Sequence, residues 1–108
     1  MQKELIGIII LTCFIPNILK KYKLPNGNYM LVGSIMVKDK YRGYGLQSQM
    51  LEYANKRAQD LKMDGLVATV HPDNIYSLNN FLNEGYQILH VLNIYGGIRN
   101  VMIKKLTR

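Results

Sequence analysis

The chain has 108 residues, 48% of them hydrophobic and 19% charged, with a formal net charge of +7. That length fits a single domain with one modest core, and the composition excludes a disordered chain. The basic excess leaves nucleic acid, an anionic membrane surface or a polyanionic small ligand as partners. The basic residues are scattered in short pairs such as Lys20-Lys21, Lys56-Arg57 and Lys104-Lys105, which ranks nucleic acid below a phosphorylated cofactor.

The first predicted element is a strand from Glu4 to Phe14. Leu5 to Ile15 is almost wholly apolar and imitates a signal-peptide core. Glu4 precedes it, no small-residue cleavage site follows, and a bilayer-spanning helix needs about 20 apolar residues. Its Ile content favours a buried strand, with no membrane partner expected. Cys13 in this run is the only cysteine, so no intrachain disulfide or thiolate metal cluster can form. A buried structural thiol in a reducing, cytoplasmic setting is expected.

Pro16-Asn17 ends that strand, and Lys20 to Asn28 reads as a polar connection turning at Pro25-Asn26-Gly27. A second strand follows over Asn28 to Val37, pairing antiparallel with the first. Leu46, Met50, Leu51, Ala54, Ala58 and Leu61 form one stripe at helical spacing, which predicts a helix from Leu46 to Met63 ended by a left-handed Gly65. Leu66 to Val70 is short and wholly apolar, as in an interior parallel strand. Asp73 or Asn74 is placed to cap a second helix carrying Leu78, Phe81 and Leu82, closed by Gly85. Gln87 to Leu92 and Arg99 to Lys105 read as a closing hairpin around Gly96-Gly97. The expected fold class is therefore α/β (α+β) with a mixed, mostly antiparallel sheet.

The segment between the second strand and the first long helix carries the chemistry. Val37-Lys38-Asp39-Lys40 leads into Arg42-Gly43-Tyr44-Gly45-Leu46-Gln47, an arginine and two glycines at a strand-to-helix turn. Glycines permit close backbone approach and positive φ, and the free N–H groups of a helix start attract phosphate or pyrophosphate. His71, following the interior strand, is a candidate general base set against the reading of a backbone-bonded turn histidine. His90 reads as structural, and no His, Asp or Glu spacing suggests a metal site.

Arg42-Gly43-Tyr44-Gly45-Leu46-Gln47 resembles the acyl-CoA pyrophosphate loop of the GNAT family of N-acetyltransferases, whose pattern is Arg/Gln-x-x-Gly-x-Gly/Ala. Gln47 departs from the small residue usual there. Asn74-Ile75-Tyr76-Ser77, running on to Gly85-Tyr86, resembles the family's Asn-x-x-Ala/Ser…Gly-Phe/Tyr segment. The resemblance covers Leu5 to Leu106 and is strongest from Ile35 to Tyr86.

The resemblance implies a parallel strand pair that splays to admit the pantetheine arm of acetyl-CoA, the co-substrate. Ile35, Met36 and Val37 would pair with that arm through their backbone. Arg42, Gly43, Tyr44, Gly45, Leu46 and Gln47 would hold the pyrophosphate, and Asn74 and Ser77 would contact the cofactor arm. The reaction implied is direct attack by a primary amine on the thioester.

Two departures stand out against the family pattern. Where many members carry an acid Tyr seven residues after the motif Asn, this chain has Phe81. Tyr76 is a candidate replacement, set against a packed aromatic, and Tyr86 occupies the family's aromatic core position. The chain also reads as a single domain, 1–108, lacking the usual first strand and two helices, and its open sheet edge predicts a homodimer. A non-catalytic CoA-binding or assembly module is the second reading.

Overall fold

A computed structural model describes residues 7–12, 18–37 and 45–107. Among these residues, eight elements run in the order β1 (Gly7–Thr12), α1 (Ile18–Lys21), β2 (Tyr29–Val37), α2 (Leu46–Asp60), β3 (Gly65–Val70), α3 (Ile75–Asn83), β4 (Gln87–Ile94) and β5 (Gly97–Lys105). The strands form one five-stranded sheet in the order β1-β2-β3-β5-β4. Only β2 and β3 are parallel; β1–β2, β3–β5 and β4–β5 are antiparallel. The mixed, mostly antiparallel class expected from the sequence is the one observed.

The sheet has a core on each face. On the face carrying α2 and α3, Met30, Val32, Leu66, Ala68, Val70 and Met102 meet Leu51, Ala54, Ala58, Phe81 and Tyr86. On the other, Tyr22 and Leu24 pack with Tyr29, Val67, Val101 and Ile103. Alternation along β3 sends Leu66, Ala68 and Val70 one way and Val67 the other, which is why this strand reads as a continuous apolar run.

Helix α2 buries Gln47, Leu51, Ala54 and Ala58, a stripe at spacings of four, three and four. Leu61, expected on it, is 44% exposed because it is the C-cap, where the chain turns away. The expected Gly65 cap is corrected by the structure. Lys62 takes the left-handed conformation (φ 58), with Lys62 N–H donating to Gln59 O and Met63 N–H to Ala58 O. Gly65 instead opens β3, where a Cβ would lie 2.5 Å from Lys104 O.

Helix α1 overlaps the expected polar connection at Lys20 and Lys21, and one turn is too short to show helical periodicity in the sequence. It ends like α2: Lys23 is left-handed (φ 54) and Leu24 N–H donates to Leu19 O. Helix α3 ends on Gly85 (φ 92), as expected, with Tyr86 N–H donating to Phe81 O. The Phe81 and Tyr86 rings meet edge to face at 4.9 Å, supplying the apolar contact such an ending favours.

The closing hairpin turns at Tyr95-Gly96, both at positive φ (55 and 77), one residue before the expected Gly96-Gly97. Two successive left-handed residues match the twist of the flanking strands. Tyr95 is held there by a hydroxyl bond to Tyr22 and by the Lys21 ammonium 4.0 Å from its ring centre. His90 Nε2 donates to Lys23 O at 2.9 Å, tying the loop after α1 to β4. Glu4, Cys13, Phe14 and Lys38 to Lys40, weighed in the sequence, lie outside the described residues.

Candidate functional site

Strands β2 and β3 pair at only three positions, Tyr29↔Gly65, Met30↔Leu66 and Leu31↔Val67. Past Leu31, β2 continues to Val37 in register with β1, while β3 continues to Val70 in register with β5. The two parallel strands therefore part company halfway along. A β-bulge supplies the reason. Ile10 faces Ser34 and Leu11 faces Val32, so Gly33 is an extra residue in β2, two residues past the last pair with β3 at Leu31. A bulge bends its strand and increases the local twist.

Among the described residues, β2 from Val32 onward has a partner strand on one edge only. Alternate backbone N–H and C=O groups on its other edge face the gap, a template for an added extended chain. Ile35, Met36 and Val37 lie on this stretch.

Helix α2 begins beside the sheet with Gly45 as N-cap, left-handed at φ 75 and with no side chain to cap the first turn. The first bond of the helix runs from Gln49 N–H to Gly45 O, at 3.0 Å. The N–H groups of Leu46, Gln47 and Ser48 precede it and have no place in the helical ladder, which makes this end receptive to an anion. Arg42, Gly43 and Tyr44, the remainder of the expected phosphate loop, lie outside the described residues.

Helix α3 is set against that same end. Asn74 is its N-cap, its side chain accepting from Ser77 N–H at 3.1 Å. Gln47 Nε2 donates to Ser77 Oγ at 2.9 Å, and Ser48 Oγ donates to Asn80 Oδ1 at 3.3 Å. Asn80 Nδ2 in turn donates to Tyr76 O at 2.8 Å. The structure thus brings Gly45, Leu46, Gln47, Asn74 and Ser77 to one polar seam. Gln47 is buried in it with its side chain on α3, so only its backbone N–H remains for a ligand.

The two catalytic candidates sit next to this seam. His71 is half exposed, and its Nδ1 accepts from Asp73 N–H at 3.0 Å. That nitrogen is therefore a backbone acceptor, and the neutral ring carries its proton on Nε2. Tyr76 lies in the first turn of α3 and is partly buried. Phe81 is buried in the helix-side core. Tyr86 beside it is also buried, and its hydroxyl is sealed from solvent without a hydrogen-bond partner. Burial, then the Glu84 carboxylate, push its phenol well above the ordinary value. This hydroxyl has no opening toward the gap through which to protonate a leaving group. The sequence reading missed the Gln47–Ser77 and Ser48–Asn80 bonds, because polar residues on two separate helices carry no mutual signal until the helices are packed.

No protein-family model matches the sequence and no curated protein matches it. Solved structures do match. Arabidopsis thaliana NAA60 in complex with a bisubstrate analogue superposes with a TM-score of 0.86 at 15% identity, over 97% of this chain and 67% of that one. The NatC complex bound to Gag peptide and CoA gives 0.79 at 21% identity, over 94% and 62%. A GNAT-family acetyltransferase from Streptococcus agalactiae gives 0.78 at 16% identity, over 95% and 60%. The chain has the GNAT acyltransferase fold. It spans about three fifths to two thirds of the length of those chains.

Proposed function

We propose that this chain binds acetyl-CoA and transfers the acetyl group to a primary amine by direct attack on the thioester. The observation that carries this reading is the gap opening past Leu31 and Val67 beside a helix whose first turn is uncapped. An extended, amide-bearing arm can pair with the open edge of β2 at Ile35, Met36 and Val37, and a pyrophosphate can take the N–H groups at the start of α2. Arg42, Gly43 and Tyr44 complete that cradle in the sequence. Hydrogen bonds to such a charged group contribute about 1.5–3 kcal/mol each. Asn74 and Ser77 border the arm from α3.

Direct attack requires the amine and thioester to be held in line and the oxyanion to meet polar groups. His71 is the group assigned to remove a proton from the amine, through Nδ1 once that nitrogen gives up its bond from Asp73 N–H, and Tyr76 the group assigned to protonate the departing thiolate. Acyl transfer to amines is supported by the solved structures with CoA, acetyl-CoA, peptide or bisubstrate analogues bound. The second reading, a CoA-binding module without turnover, is favoured by Phe81, which has no proton to give. We place the chain in the cytoplasm and pair it as a homodimer through the edge strand β4, where Ile88 and Val91 are exposed.

The test is calorimetric titration with acetyl-CoA, beside a variant carrying Gly43→Val and Gly45→Val. Micromolar binding that the variant loses is expected. No binding by the unaltered chain overturns the proposal. Binding without thiol release across a panel of primary amines selects the module over the enzyme.

A further inference from the structure

Position 47 lies on the buried stripe of α2 with Leu51, Ala54 and Ala58, and the residue there is a glutamine, 3% exposed. Burying an amide is unfavourable unless it is bonded. Gln47 meets that requirement by donating from Nε2 to Ser77 Oγ. A serine hydroxyl has one hydrogen to donate and two lone pairs that accept. With Gln47 donating to the oxygen, the hydroxyl hydrogen must point elsewhere, and Ser77 Oγ makes no other hydrogen bond among the described residues. The Ser77 backbone is fixed as well, its N–H held by Asn74 Oδ1.

We infer that Gln47 is a positioning residue, whose side chain orients the Ser77 hydroxyl as a donor to an oxygen acceptor on the amide-bearing arm of the bound cofactor. The inference rests on the acetyl-CoA reading above. In it, the side chain of Gln47 acts on the cofactor only through Ser77, while its backbone N–H belongs to the anion-binding turn. The parallel bond from Ser48 Oγ to Asn80 Oδ1 ties α2 to α3 independently, so loss of the Gln47 bond leaves the two helices joined.

The test is a double-mutant cycle with Gln47→Met and Ser77→Ala, together with Ser77→Thr, read as acetyl-CoA affinity by calorimetry and as thermal unfolding without ligand. Each single change is expected to weaken binding about 3–10-fold, the equivalent of one hydrogen bond. The double variant is expected to bind like Ser77→Ala alone, and Ser77→Thr, which keeps the hydroxyl, like the unaltered chain. Independent losses that multiply in the double variant, or full affinity in Ser77→Ala, overturn the inference while leaving the acetyl-CoA reading intact. If Gln47→Met does not fold, the contrast between Ser77→Ala and Ser77→Thr decides: equal affinities overturn the inference. Absence of acetyl-CoA binding by the unaltered chain overturns both.

Discussion

The hydroxyl of Tyr86 is a buried donor with nothing to donate to. An unpaired buried polar group costs about 1–3 kcal/mol. Tyr86→Phe keeps the edge-on contact with Phe81 and removes the hydroxyl, so it should raise unfolding free energy by about 1 kcal/mol in urea titrations. The pH dependence follows from the raised phenol. Below pH 10, the ordinary value for the group, folded and unfolded states both hold the proton. Above it, the unfolded chain loses the proton while the folded chain retains it, so stability falls as pH rises. Urea titrations at pH 9 and pH 11 should show a smaller decline in Tyr86→Phe than in the unaltered chain. Gly65 tests the opposite kind of constraint. The Cβ of Gly65→Ala would meet the Lys104 carbonyl at 2.5 Å, and separating two paired strands to relieve that contact should cost about 1–3 kcal/mol.

At the scale of elements, the three helices among the described residues end the same way, with a left-handed residue followed by a buried apolar one: Lys23-Leu24, Lys62-Met63 and Gly85-Tyr86. Only the last was legible, since glycine is the usual signal and lysine is not. A left-handed conformation costs a non-glycine residue about 1–2 kcal/mol. The apolar anchors Leu24 and Met63 hold the two lysines in it. Lys62→Gly should therefore stabilise the fold, by about 0.5 kcal/mol once the added freedom of the unfolded chain is subtracted, measured by chemical denaturation. At the start of α3 the legible signal was sound: Asn74 is the cap. Asn74→Ala should cost about 1 kcal/mol. Because Asn74 also holds Ser77 in place, on the acetyl-CoA reading the same variant should weaken cofactor binding.

At the scale of the molecule, the acetyl-CoA reading makes the β2–β3 gap the place where a ligand adds stability. On the acetyl-CoA reading, a free concentration 100 times the dissociation constant should add about 2.7 kcal/mol to folding, visible as a rise in melting temperature that CoA-free buffer does not produce. The sheet also has two edges, β1 and β4. Strand β4 carries no Lys, Arg, Asp or Glu, and Val91 on it is 59% exposed. Light scattering should report a dimer for the unaltered chain and a monomer for Val91→Lys, since a charge on an edge strand opposes pairing. No helix among the described residues is long and apolar enough to cross a membrane.

Local pattern by itself determined the order and type of the long elements. The α2 and β3 apolar spacing and the Asn74 and Gly85 punctuation are written within a few residues of where they act. The anion loop was read from the same kind of local signal, as was its likeness to the acyl-CoA loop, and of its residues the structure describes Gly45, Leu46 and Gln47. Tertiary structure alone decided that β2 and β3 separate after three pairs, because the bulge at Gly33 exists only relative to β1. It also decided that Gln47 faces Ser77, that Lys62 and not Gly65 ends α2, and that the Tyr86 hydroxyl is sealed away. Each depends on residues from different elements occupying the same space, and no spacing along the chain encodes that distance.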